Sequence, residues 1–167
     1  MIERAGAGDA EEILGVHVRA RADYYRGFQS EEVTAEQNRR DPATYAGIIA
    51  NPRNTVLVAR PEGCVAGFVI LGPPHVPEDD PSVSAELYQI HVDPRWHRRG
   101  IGGALHTGMV RTWTAAGVRA ARLWVWDFND RARAFYASRG WTPDGTELPD
   151  GARIGTHRQL GYRLDLA

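Results

Sequence analysis

Lysine is missing from the sequence: all 20 basic residues are arginine. A phosphate loop of the G-x-x-x-x-G-K-[ST] type is therefore excluded. Cysteine occurs once, at Cys64, so no internal disulfide can form. No apolar run reaches the roughly 18 residues of a membrane span, and no membrane partner is expected. The start of the chain carries Glu3, Asp9, Glu11 and Glu12 and lacks the basic and apolar stretches of a secretory leader. A cytoplasmic location is the expectation. Net charge is also scarce, at −1. That argues against a nucleic-acid partner, and the basic run Trp96-His97-Arg98-Arg99 is too short to reverse the argument. The six histidines (17, 75, 91, 97, 106 and 157) form no H-x-x-x-H or Cys-His set, so no metal is expected.

What is present suffices for one domain. The chain has 167 residues and is 43% hydrophobic, and residues 1–167 read as a single unit. Residues 2–5 suggest a strand. Asp9, with Glu12 three residues on, suggests the cap of a helix over 10–24, where Ile13, Val16, His17 and Ala20 recur at helical spacing. A second helical stretch covers 30–50 and breaks at Asp41-Pro42. Residues 55–59 and 64–71 read as an antiparallel hairpin around Pro61-Glu62-Gly63, with Cys64 in the core. A proline-rich loop over 72–83 leads to a strand over 85–92, stopped by Asp93-Pro94. Ile101, Leu105, Met109 and Trp113 mark a helix over 100–116, ended by Gly117. A strand at 123–126, a helix over 130–139 ended by Gly140, and strands near 141–147 and 155–166 follow. The order is that of a mixed α/β (α+β) domain around one sheet.

The segment from Val92 to Leu105 is the most informative. A strand ends, a basic glycine-containing turn follows, and an amphipathic helix begins. Unbonded N–H groups and the helix dipole make such a start an anion site. Gly100, Gly102 and Gly103 allow close approach of a phosphate, and Arg98 and Arg99 add charge-assisted hydrogen bonds. The pattern suits the pyrophosphate of a nucleotide-like cofactor. Taken alone, it also suits a well-capped helix start. The dinucleotide fingerprint G-x-G-x-x-G is not matched.

This turn resembles the acyl-CoA-binding motif [Gln/Arg]-x-x-Gly-x-[Gly/Ala] of the GCN5-related N-acetyltransferase (GNAT) superfamily. Gly100 and Gly102 match, and His97 stands where Gln or Arg is usual. The segment Asn129-Asp130-Arg131-Ala132-Arg133-Ala134-Phe135-Tyr136-Ala137-Ser138-Arg139-Gly140-Trp141 resembles the same family's Asn-x-x-Ala-x-x-Phe-Tyr-x-x-x-Gly-Phe pattern. Trp141 replaces Phe. The element order fits over nearly the whole chain. The resemblance implies a single GNAT-type domain, with a mostly antiparallel, twisted sheet of about seven strands flanked by about four helices. It implies acetyl-CoA as co-substrate, held by His97, Arg98, Arg99, Gly100, Ile101, Gly102, Gly103 and Ala104. The backbone of Ile90 and Val92 is expected to bond the pantetheine arm, and a strand bulge to open a slot for it. An N–H near Val92 is expected to polarise the thioester. Asn129 either bonds the cofactor or simply caps its helix.

The reaction implied is acetyl transfer to a primary amine of a small molecule or peptide, without an acyl-enzyme. An alkyl ammonium has a pKa near 10.4, so a base must take its proton, and an acid helps the thiolate leave. Tyr136 is the candidate acid. Glu86, on the strand leading to the turn, is the candidate base, against the alternative of a solvated strand residue. Alternation along that strand places Glu86, Tyr88, Ile90 and Val92 on one face. Acceptor-facing candidates are Tyr24, Tyr25 and Phe28, the Glu78-Asp79-Asp80 run, Asp144, Glu147 and Asp150, with His91 at the strand end. Acids there would suit a cationic amine. Two other functions stay open: transfer of a larger acyl group, and a non-catalytic acyl-CoA sensor. A homodimer is a family-level expectation that no residue of the sequence carries.

Overall fold

The computed structural model describes residues 1–77, 80–149, 151 and 153–166. In chain order the elements are β1 (Ile2–Arg4), α1 (Ala10–Tyr24), α2 (Glu31–Gln37), α3 (Pro42–Ala50), β2 (Thr55–Ala59), β3 (Gly67–Gly72) and β4 (Val83–Val92). There follow α4 (Ile101–Ala115), β5 (Ala120–Trp126), α5 (Asp130–Ala137), β6 (Thr142–Glu147) and β7 (Gln159–Asp165). The strands form one seven-stranded sheet in the order β1-β2-β3-β4-β5-β7-β6. Among the strand pairings described, β4–β5 is parallel and the others are antiparallel. The mixed α/β fold with seven strands is as expected.

The expected helical stretch over 30–50 is two helices, so five helices stand where about four were expected. Ser30 caps the first by accepting the Val33 N–H at 3.2 Å. Asp41 caps the second by accepting the Ala43 N–H at 2.8 Å. Pro42, with no N–H and a fixed φ, opens a helix but cannot continue one.

Contacts divide the chain into two compact units. The first comprises Met1–Leu71 and Gln89–Arg111. Its fully buried side chains include Ile13, Val16, Tyr45, Phe68, Leu105 and Met109, each worth about 1.5–3 kcal/mol of apolar transfer as an upper estimate. Arg60 ties its N-terminal segment together through Glu3, Asp9 and Glu12. The capping expectation at α1 is corrected here. Asp9 stands at the cap position but makes no cap bond to the helix. Its carboxylate instead accepts the Gly6 N–H at 2.8 Å, and Glu12 accepts the Val65 N–H at 2.8 Å. Cys64 is a second correction. It is exposed, not core, because β3 begins only at Gly67, after the turn through Glu62 and Gly63 at positive φ.

The second unit comprises Gly72–Tyr88 and the chain from Thr112 onward. Its centre is β5, paired with β4 from Val83↔Ala120 to Leu87↔Leu123 and with β7 from Ala120↔Asp165 to Trp126↔Gln159. A register irregularity falls on β4 between Val83 and Ala85. Trp113 and Trp141 meet edge to face at 6.3 Å, and Tyr136 packs on Trp141 at 6.0 Å.

Candidate active site

In the first unit, β4 ends in a turn built around Asp93, which is 0% exposed. Its backbone N–H donates to the Ala66 carbonyl at 2.9 Å. Its carboxylate accepts from Arg19 at 2.7 Å, from Arg95 at 2.6 Å and from the Arg95 N–H at 3.0 Å. Burial is the largest influence on this acid and pushes its pKa up. The Arg95 and Arg19 hydrogen bonds outweigh it and hold the value at about 2. The carboxylate therefore stays ionised and fixes the turn. His97 follows, with Nε2 3.3 Å from the Val92 carbonyl oxygen. Arg98 and Gly100 both take positive φ, 62° and 79°. A Cβ on Gly100 would meet nothing within 4 Å, so glycine is there for its conformation rather than for space.

Arg98, Arg99 and Gly100 are exposed, and the Arg99 guanidinium lies over the Trp96 ring at 4.9 Å. Helix α4 begins at Ile101, and its first i→i−4 bond runs from the Ala104 N–H to the Gly100 carbonyl at 3.0 Å. The N–H groups of Ile101, Gly102 and Gly103 lie ahead of that bond, at the positive end of the helix dipole. Turn and helix start thus fit an anion. Ile90 and Val92 are half-buried on β4 just before it.

His91, also in this unit, joins a ring cluster. It lies 5.3 Å from His17, 5.4 Å from Phe68 and stacked 6.1 Å from Tyr24. Burial, then the charges of His17, Arg21 and Arg40, pushes its pKa down to about 3. Tyr25 is buried beneath the Arg21 guanidinium at 4.7 Å, while Phe28 is 43% exposed.

In the second unit, Glu86 is buried at 1% exposure, so it is not a solvated strand residue. One oxygen accepts the His75 N–H at 3.1 Å, and the other meets His75 Nδ1 at short range. Burial raises the Glu86 pKa. The His75 hydrogen bonds and charge, and then Arg122, pull it back. Glu86 pairs in register with Arg122 of β5. That guanidinium covers the Trp124 ring at 4.3 Å and stands 3.7 Å from Asp144. Glu86, His75, Tyr88, Trp124, Leu148 and Gln159 line a cavity of about 330 Å3. Leu87, between Glu86 and Tyr88 on β4, lines it too, so alternation along the strand does not sort the lining residues.

Tyr136 is buried on α5 at 8% exposure, and burial pushes its phenol pKa up, so the phenol keeps its proton at neutral pH. Asn129 caps α5 by accepting the Ala132 N–H at 3.1 Å. Of the acids expected to face an acceptor, Asp80 pairs with Arg163 at 2.6 Å and Asp144 with Arg122. Glu147 pairs with Arg158 at 3.1 Å. Glu78, Asp79 and Asp150 lie outside the described residues. Among the described residues no group of three or more His, Cys, Asp or Glu is placed to hold a metal ion. No helix among them is long and apolar enough to cross a membrane.

The model of the acetyltransferase (GNAT) family matches residues 18–141. The chain belongs to this family. An uncharacterized N-acetyltransferase of Mycobacterium tuberculosis is 33% identical over 122 residues, covering 72% of this chain and 71% of that protein. One of Archaeoglobus fulgidus is 28% identical over 139 residues, covering 83% and 90%. Among solved structures, the PaiA N-acetyltransferase of Thermoplasma acidophilum in complex with coenzyme A superposes with a TM-score of 0.83. It is 19% identical, over 99% of this chain and 98% of that one, a likeness of fold. The GNAT match spans the phosphate-type turn, Glu86, Asn129 and Tyr136. Sequence reasoning passed over His75, Asp93 and Arg122. Their partners lie on other segments, and only the strand end at Asp93-Pro94 was visible locally.

Proposed function

We propose that this GNAT protein is an N-acetyltransferase that moves the acetyl group of acetyl-CoA to a primary amine of a small molecule or peptide by direct attack. The observation that carries this reading is the turn into α4, with Arg98 and Gly100 at positive φ and three N–H groups ahead of the first helical bond. A pyrophosphate matches that site in charge and in donor geometry. The coenzyme A complex of the Thermoplasma protein supports a CoA thioester as the donor. Arg98, Arg99 and the N–H groups of Ile101, Gly102 and Gly103 would bind the phosphates. The backbone of Ile90 and Val92 would bond the pantetheine arm as an added strand does. The buried Glu86–His75 pair marks the proton-accepting end of the chemistry. Tyr136, protonated at neutral pH, supplies the proton that the leaving thiolate needs.

The test is acetyl-CoA turnover against a panel of primary amines, followed by release of the CoA thiol, with calorimetric binding of acetyl-CoA alongside. Turnover with any amine is the expected result. Turnover only with a longer acyl-CoA would reassign the donor. Binding without turnover would turn the reading toward an acyl-CoA sensor, and absence of binding would overturn it.

A further inference from the structure

Glu86 helps to line the cavity although its side chain is almost closed to solvent. Its side chain is 1% exposed, whereas that of His75 is 48% exposed. Both Glu86 oxygens are engaged by that one residue, Oε2 by the backbone N–H and Oε1 by Nδ1. If Glu86 is ionised, its carboxylate only accepts hydrogen bonds and Nδ1 is then the proton-bearing nitrogen. In the neutral ring this leaves the lone pair on Nε2.

The ring is also held in place from β4. The Tyr88 hydroxyl donates to the Pro73 carbonyl, and the Tyr88 ring meets that of His75 edge to face at 6.0 Å. Glu86 and Tyr88, two residues apart on the strand, thus anchor Pro73 and His75 of the preceding loop. The result is a buried carboxylate and, held beside it, an imidazole in the lining of a cavity. The same division of labour lets an Asp–His pair act as a base in hydrolases.

We propose that His75 is the proton acceptor for the incoming ammonium, and that Glu86 is a positioning residue that fixes the His75 tautomer and stabilises its imidazolium. This rests on the N-acyltransferase reading above. The ammonium N–H bond breaks and its proton passes to His75 Nε2. The freed lone pair forms the C–N bond at the acyl carbon, and the C–S bond breaks with its electrons on sulfur. Tyr136 gives its proton to that thiolate and is restored by the second nitrogen proton, and His75 returns its own proton to water. Besides Glu86, the charged or titratable groups around the pair are Tyr88 of β4, Arg122 of β5 and Asp144 of β6. Arg122 acts on Glu86, whose pKa it lowers, and stands 3.7 Å from Asp144.

Nitrogen-15 NMR of the full chain, labelled at histidine, reads the tautomer without any substrate. The expected result is a neutral His75 with its proton on Nδ1, a preference lost in Glu86→Gln. An Nε2–H tautomer in the unmodified protein would overturn the proposal. In turnover, His75→Ala should lower kcat/KM for the amine by about 10²–10⁴-fold at neutral pH, with acetyl-CoA affinity unchanged by calorimetry. The deficit should shrink as pH approaches the pKa of the amine, because a free amine needs no base. Adding Glu86→Gln to His75→Ala should cost nothing further, since Glu86 acts through His75. A double variant with multiplied losses, or a His75→Ala variant with an unchanged pH profile, would make Glu86 the base instead. If the unmodified protein turns over no amine at all, the transferase reading fails, and the tautomer result still decides whether the pair is built as described.

Discussion

Two buried carboxylates, one on β4 and one in the turn that ends it, behave in opposite ways. Glu86 and Asp93 are equally sealed, at 1% and 0% exposure, and burial is the largest influence on both. Yet the acid at the strand end is held at about 2, while the one near its middle is raised. The difference lies in the donors. Asp93 receives two guanidinium groups, which stay charged at any ordinary pH. Glu86 receives an imidazole and one backbone N–H, a set whose charge can change. Burial therefore does not decide how a carboxylate titrates; its partners decide whether its pKa is held down or left raised.

The largest expected effect extends the comparison to a third buried acid. Tyr136→Phe keeps the ring against Trp141 and removes only the hydroxyl. It should lower kcat by about 10²-fold or more with normal acetyl-CoA binding; unchanged turnover would take Tyr136 out of the mechanism.

Next, Asp93→Asn should destabilise the protein by about 1–3 kcal/mol in denaturant titration, the range for stranding a buried hydrogen-bonded group. The larger penalties of broken buried ion pairs do not apply, because Arg19 and Arg95 are 43% and 68% exposed and regain water. The Asp93 pKa lies below its ordinary 3.8, so its stabilisation is full above that value and is lost as pH falls toward 2. A variant as stable as its parent at neutral pH would break the contrast.

Gly100→Ala should cost about 1–2 kcal/mol, all of it backbone strain at positive φ, because no atom stands in the way of the added methyl. The smallest effect has the opposite sign. The raised Glu86 pKa means that its share of stability is present below the ordinary value of 4.5 and is lost as pH rises through the higher folded value. Glu86→Gln should therefore be at least as stable as the parent at neutral pH in thermal melts. A clear loss of stability there would make Glu86 a strut like Asp93.

Local chemistry was legible in the sequence. The glycines and arginines of the turn, the periodicity of Leu105, Met109 and Trp113, and the break at Asp41-Pro42 each depend on neighbours a few residues away. Glu86 and Tyr136 were legible as chemical types in a family pattern. Their surroundings were not. The Glu86–His75 contact depends on how a proline-rich loop folds back over β4, and the Arg19–Asp93 contact joins residues 74 apart. Cys64 was misplaced because a run of β-forming residues does not show where pairing starts. The chain enters β3 only after the turn at Glu62 and Gly63 has finished. The cap at Asp9 was misread for a related reason. Its carboxylate had a stronger partner in Arg60, 51 residues away, and competition of that kind is invisible in a local pattern.

If the turn binds a CoA thioester as proposed, the exposure of Arg98 and Arg99 sets how the two meet in solution. Charges in open water lose their reach beyond the Debye length, about 8 Å at physiological ionic strength. The arginines would then speed capture mainly in dilute buffer, whereas the N–H groups at the start of α4 hold what has already arrived. Added salt should slow association of a CoA thioester while leaving its rate of release nearly untouched.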